Sequence, residues 1–159
     1  MGLQNLETDG VVPDVIDKVP GKILKVKYSS GAIVNFGNEL TPNDTNVNPT
    51  TLKWPKKYGN LYTLVMVDPD APSRQNPTHA EYLHWLVINI QGKSRDEVAN
   101  YVGPAPPQGT GLHRYVLLIF IQNTRLEIDE EDQEAIEKRA NCLFDHRNFH
   151  IDSKFLSEI

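Results

Sequence analysis

The stretch YTLVMVDPDAPSRQNPTHAEYLHW, Tyr62 to Trp85, decides the fold. Its first part is a run of apolar and β-branched residues that stops at Asp68-Pro69-Asp70. A polar, proline-bearing loop follows, and His84 opens a second apolar run, HWLVINI, reaching Ile90. The full first run is LYTLVMVD, from Leu61 to Asp68, and a third, HRYVLLIFIQ, spans His113 to Gln122. All three are rich in β-branched and aromatic residues and nearly continuous in apolar character. Such strands are buried on both faces or lie at the centre of a sandwich.

Working outward, KILKVKY and GAIVNFG read as two shorter strands, the second bounded by glycines, and TPNDTNVNPT reads as a loop. Two helices are expected. SRDEVANY places Ser94 and Glu97 at capping-box spacing. DEEDQEAIEKRANCLF begins with acids, which suits the positive end of a helix dipole, and continues in good helix formers. Short strands with Pro and Gly turns predict a mainly β fold: an antiparallel β-sandwich of Greek-key type with a few peripheral helices. No internal repeat or low-complexity segment interrupts it.

The 159 residues fit one domain and bury a sizeable core without disulfides or a structural metal. The hydrophobic fraction of 39% and charged fraction of 23% are those of a globular chain. A formal charge of -5 argues against direct nucleic-acid binding and against a polybasic membrane anchor. The single Cys142 rules out an intramolecular disulfide and points to a reducing, cytoplasmic setting. MGLQNLETDG has neither the basic start nor the apolar core of a secretory signal, and Leu6 stands where a myristoylation motif needs Ser or Thr. No apolar run is long enough to span a bilayer, so at most peripheral membrane contact is expected.

Side chains on a strand alternate between faces. His113, Tyr115 and Leu117 therefore share one face, with Arg114 and Val116 on the other. His84, Leu86 and Ile88 share a face, with Trp85 opposite. If the first two strands pair antiparallel, Asp68 and His84 meet at one rim. GPAPPQGTGLHRY brings His113 and Tyr115 to it on a loop shaped by proline and glycine. Two carboxylates and two histidines over an apolar floor form a common ligand-site pattern. Taken singly, Asp68 and Asp70 are turn residues, since Asx-Pro commonly starts a turn. Taken together, all at strand boundaries, they point to a site. His79, His146 and His150 read as solvated or loop histidines. Arg74 and Gln75 are candidate rim contacts, as is Trp85, although a tryptophan there is more often core.

VDPDAPSR, HWLVINI and GPAPPQGTGLHRYV, in this order, resemble the phosphatidylethanolamine-binding protein family, which includes Raf kinase inhibitor proteins and plant flowering-time regulators. The resemblance runs from Lys22 to Phe155 and implies one domain over residues 1–159. It implies a β-sandwich with a pocket for anions such as phosphate or a phospholipid headgroup. On this likeness Asp68, Asp70 and Pro72 form the first pocket loop and His84 the wall, with Tyr82 as the aromatic that precedes it. Gly103, Ala105, Pro106, His113 and Tyr115 form the second wall, Ala105 standing where many relatives have glycine. Relatives continue past the segment like HRNFHIDSKF with a further strand and a closing helix that have no counterpart here.

The implied function is a non-catalytic binding protein, without cofactor or metal, that takes phosphate or a phosphatidylethanolamine-like headgroup. The likeness also implies modulation of a signalling protein kinase through protein contacts. Phosphate beside carboxylates is repulsive. Either a neighbouring carboxylate raises a histidine's pKa and the imidazolium holds the anion, or the ligand brings its own hydrogen as an ammonium or a P–OH. The alternative function is a metal-dependent or nucleophilic hydrolase using the Asp/His pocket. No His-x-x-x-His or Glu-x-x-His spacing supports the metal. Ser73 is not on a Gly-x-Ser-x-Gly elbow, and Cys142 lies in an acidic segment with no histidine in a motif beside it.

Overall fold

The computed structural model describes residues 2–139 and 152–158. Its strands are β1 (Lys22–Ile23), β2 (Lys25–Lys27), β3 (Thr51–Lys53), β4 (Leu61–Asp68), β5 (Tyr82–Gln91), β6 (Ser94–Ala99), β7 (Val116–Gln122) and β8 (Asp152–Glu158). Two single-turn helices, α1 (Asn5–Thr8) and α2 (Val11–Asp14), lead the chain, and α3 (Glu130–Lys138) follows β7. Six strands form one sheet in the order β1-β8-β7-β4-β5-β6, and β2 pairs β3 in a second sheet. Every pairing is antiparallel except β1 with β8, which is parallel and departs from the expected all-antiparallel arrangement. The fold is mainly β, with two sheets and few helices.

The continuous apolar runs are explained by two cores. Val65 and Val67 of β4, with Val116, Leu118 and Phe120 of β7, pack with Leu6, Val11 and Ile16 of the N-terminal segment and Ile136 of α3. Leu64 and Met66, with Leu117 and Ile119, pack on the other side with Leu24, Val26 and Tyr28 around the small sheet. Alternate residues of the same strand thus enter different cores, and the polar residues buried with them, Thr63, Asn89 and Gln122, hydrogen-bond to one another.

Several local expectations are corrected. SRDEVANY forms strand β6 rather than a helix. Gly92, at φ +62, and Lys93 connect β5 to β6, and Gln91 pairs with Ser94 across that two-residue turn. Hairpin closure claims the segment before a helix can start, so the capping-box spacing is coincidental. GAIVNFG makes one bridge, Lys27 to Ile33, and no strand. KILKVKY splits at Leu24 into β1 and β2, which serve different sheets. TPNDTNVNPT contains a 3-10 turn over Pro42–Asp44, capped by Thr41. The acidic helix is confirmed over Glu130–Lys138, with the Asp129 side chain accepting the Asp132 N–H. Its expected continuation to Phe144 lies outside the described residues, as do Cys142, His146 and His150.

Candidate functional site

The rim forms where β4 ends. Asp68 pairs with Tyr82 at the start of β5, so the antiparallel register brings the two strand ends together as expected. The register then slips: Met66 faces Trp85 but Val67 faces Leu83, leaving His84 as the extra residue of a bulge. A bulge re-aims side chains, which corrects the simple alternation that put His84 with Leu86 and Ile88. The His84 ring lies 5.1 Å from the Tyr115 ring, edge-on, and 5.1 Å from the Tyr82 ring. Tyr115 belongs to the core beneath the small sheet, so His84 sits at that core's upper edge.

Asp68 is the hub, with its side chain 5% exposed. Its Oδ1 accepts the Asp70 N–H at 2.7 Å, and its Oδ2 lies 2.8 Å from His113 Nδ1. The other nitrogen of His113, Nε2, lies 2.9 Å from Thr110 Oγ1, which in turn donates to the Pro107 carbonyl at 2.7 Å. The Thr110 hydrogen turns toward Pro107 or toward Nε2, so this contact serves either protonation state of the ring. Both His113 nitrogens are therefore engaged within the protein. Burial and the Asp68 charge push the Tyr115 hydroxyl well above the usual tyrosine range, with the Ala105 backbone opposing them.

His84 differs. Its Nδ1 lies 2.7 Å from the Val102 carbonyl, and the Val102 N–H donates back to the His84 carbonyl at 2.8 Å. A ring nitrogen next to a carbonyl must carry the hydrogen, so neutral His84 has a lone pair on Nε2. Burial pushes the His84 pKa below its ordinary value despite the opposing pull of Val102 and Asp68. The carboxylate-raised histidine pKa expected from sequence thus does not hold for His84: desolvation of the charged ring outweighs the neighbouring Asp68.

Asp70 faces elsewhere. It accepts the Arg114 backbone N–H at 2.8 Å, and its two oxygens take the Arg114 guanidinium at 2.7 and 3.0 Å. Arg114 also reaches the Asp14 carboxylate at 2.8 Å and the Asp9 carbonyl at 3.1 Å. Burial works against the Asp70 charge, but the Arg114 hydrogen bonds and charge outweigh it and hold the carboxyl below the usual range. The Arg114 N–H, taken by Asp70, is withheld from the sheet, and β7 begins at Val116 rather than His113.

The structure thus brings Asp68, Tyr82, His84, His113 and Tyr115 together at one rim. It turns Asp70 away into an ion pair. Ala71–Pro72 is a cis peptide, with Pro72 half-buried in the loop. Gly103 packs so closely that a Cβ would fall 2.8 Å from the Thr45 carbonyl oxygen, so its role is close backbone approach. Pro106, His113 and Tyr115 line a cavity of about 220 Å³ that extends past Leu40, Leu112 and Arg74, while the other candidates lie outside that lining. Arg74 is exposed and donates to the Asp9 carbonyl at 2.7 Å, Gln75 and His79 are exposed, and Trp85 is core. Among the described residues no group of three His, Cys, Asp or Glu side chains is placed to hold a metal. Nor is any helix there long and apolar enough to cross a membrane.

One residue escaped the sequence reading. Glu81, inside the opening stretch, has its pKa pushed up to about 7 by burial, with Arg114 pulling the other way. Its signal was available: an acid directly before Tyr82, at the mouth of a buried strand.

Comparison with known proteins adds the lineage. The sequence profile described as phosphatidylethanolamine-binding protein matches residues 17–146. The "Putative odorant-binding protein A5" of Drosophila melanogaster is 33% identical over 142 residues, covering 87% of this chain and 67% of that protein. A carboxypeptidase Y inhibitor, solved in complex with its cognate proteinase, superposes with TM-score 0.81 at 24% identity, covering 98% of this chain and 92% of its own. A phosphatidylethanolamine-binding protein from Plasmodium vivax superposes with TM-score 0.77 at 22% identity, covering 99% and 95%. The two structural likenesses speak to the fold, and the profile match to descent: the chain belongs to the phosphatidylethanolamine-binding protein family.

Proposed function

We propose that this protein is a non-catalytic binding protein whose rim at Asp68, His84, His113 and Tyr115 receives a phosphate-bearing headgroup that supplies its own hydrogen. The observation that carries this is the state of His84. With Nδ1 tied to Val102 and the ring held neutral, Nε2 is an acceptor beside the Asp68 carboxylate. A fully ionised phosphate gains little there. A singly protonated phosphomonoester donates its P–OH to Nε2, and an ethanolamine ammonium offers the same kind of donor. His113 and Tyr115 act by positioning Asp68, because their polar atoms are already engaged. Pro72, Gly103, Ala105 and Pro106 shape the walls, while Asp70 anchors its loop through Arg114.

Protein contacts extend this reading. Sequence likeness to Raf kinase inhibitor proteins supports a protein kinase as partner, and one protein of this fold was solved as an inhibitor bound to a proteinase. A partner seated over the rim would compete with the headgroup.

Calorimetry with O-phosphoethanolamine between pH 5.5 and 8 tests the headgroup reading. The second phosphate ionisation falls near pH ~6, so affinity is expected to decline above it and to fall further in His84→Ala. Glycerophosphoethanolamine, a diester, is expected to show a flat profile above neutrality. Equal affinity in wild type and His84→Ala, or tighter monoester binding at pH 8, would overturn the proposal.

A further inference from the structure

A second cleft lies away from the rim. The large sheet has six strands and the sheet covering one of its faces has two. A cleft of about 450 Å³ is lined by residues of both sheets, Trp54 and Trp85 among them. Leu52, Leu64, Val87 and Ile90 make its apolar floor. The volume is within the range of small-molecule sites.

Its charge is opposite to that of the chain. Lys56, Lys93 and Arg95 line the cleft, and no carboxylate does, although the formal charge of the protein is -5. Arg74, Arg114, Arg125 and Arg139 all hydrogen-bond to protein acceptors. Among the described residues none forms an ion pair with Lys56, Lys93 or Arg95. Of the acids on β6, Glu97 accepts the Trp85 Nε1–H at 2.8 Å and Asp96 pairs with Arg125 at 2.6 Å. Lys56 Nζ stands 3.9 Å over the Trp54 ring, a placement that leaves the ammonium's hydrogens for another acceptor. Trp54 Nε1 itself is buried with no hydrogen-bond partner, an arrangement native proteins mostly avoid.

We infer that this cleft is a separate binding site for a small amphipathic organic anion. Its apolar part lies against Trp54 and Trp85, and its one anionic group meets Lys56, Lys93 and Arg95. The unpaired cations supply the charge selection. The site shares no lining residue with the headgroup rim or its adjoining cavity.

The protein carries only two tryptophans, and both line this cleft, so intrinsic fluorescence reports on it. Octanoate is the probe, with octanamide as its uncharged analogue, in the full-length protein. Octanoate is expected to change tryptophan emission saturably, and octanamide to bind at least about tenfold more weakly. The double variant Lys93→Gln, Arg95→Gln, on exposed positions, is expected to lose about tenfold for octanoate and little for octanamide. His84→Ala is expected to leave the octanoate response unchanged, which separates this site from the rim. No saturable change, equal binding of the two probes, an unaffected double variant, or loss of the response in His84→Ala would each overturn the assignment.

Discussion

Asp68 turns toward His113 and the Tyr115 face of the large sheet, whereas Asp70, one proline later, turns toward Arg114 and the N-terminal segment. Alternation on the facing segment supplies the partners: His113 and Tyr115 go one way, Arg114 the other. One carboxylate therefore holds His113 at the rim, while the other ties Asp9 and Asp14 to the sheet through a shared guanidinium. Identical chemistry two positions apart does different work because β4 ends at Asp68 and the chain turns before Asp70.

Breaking the Asp70 side should cost the most. Arg114→Leu leaves Asp70 buried without its cation, and about 3–5 kcal/mol of stability is expected to go, read as a lower urea midpoint. Because the folded pKa of Asp70 is depressed, its contribution is present above the ordinary Asp range and is lost as pH falls through the folded value. The wild-type advantage over Arg114→Leu should therefore shrink in acid. An advantage that stays constant to strongly acidic pH would contradict this ion pair.

Glu81 sharpens the same contrast with the opposite sign. Its folded pKa of about 7 lies above the ordinary 4.5. Between those values the folded protein holds a proton that the unfolded chain has released, so stability falls as pH rises through the window. Glu81→Gln removes this dependence. Its stability should match wild type near pH 4 and exceed it by about 3 kcal/mol at pH 8. A variant less stable than wild type at pH 8 would mean that the ionised form is held by a partner.

Asp68→Asn should perturb stability least, by about 1 kcal/mol, because Oδ1 still accepts the Asp70 N–H. The effect should appear in binding, as about a tenfold loss for O-phosphoethanolamine. If Asp68→Asn instead destabilises as much as Arg114→Leu, the two carboxylates are both structural.

Much of this was legible in sequence. The three apolar runs became β4, β5 and β7, since strands buried on both faces have few alternatives. The approach of the β4 end to the β5 start, where Asp68 and His84 are expected to meet, followed from antiparallel pairing, and the arrival of His113 there from the Pro/Gly-shaped loop. Three things were not legible. The bulge that re-aims His84 is a register slip between strands and leaves no local pattern. The loss of Asp70 to Arg114 depends on the N-terminal segment folding back over the sheet, a contact spanning 100 residues between Arg114 and Asp14. The conversion of SRDEVANY to a strand depended on a turn that outcompetes a plausible helix cap.

The state of the His84 ring tests the central claim most directly. Nitrogen NMR of the imidazole, across pH 6 to 8 with and without saturating O-phosphoethanolamine, reports both its tautomer and its contact. The ring is expected to be neutral with the hydrogen on Nδ1, and its Nε2 resonance to shift on adding the ligand. An imidazolium at pH 7 in the free protein, or an Nε2 resonance that saturating ligand leaves unmoved, would contradict it.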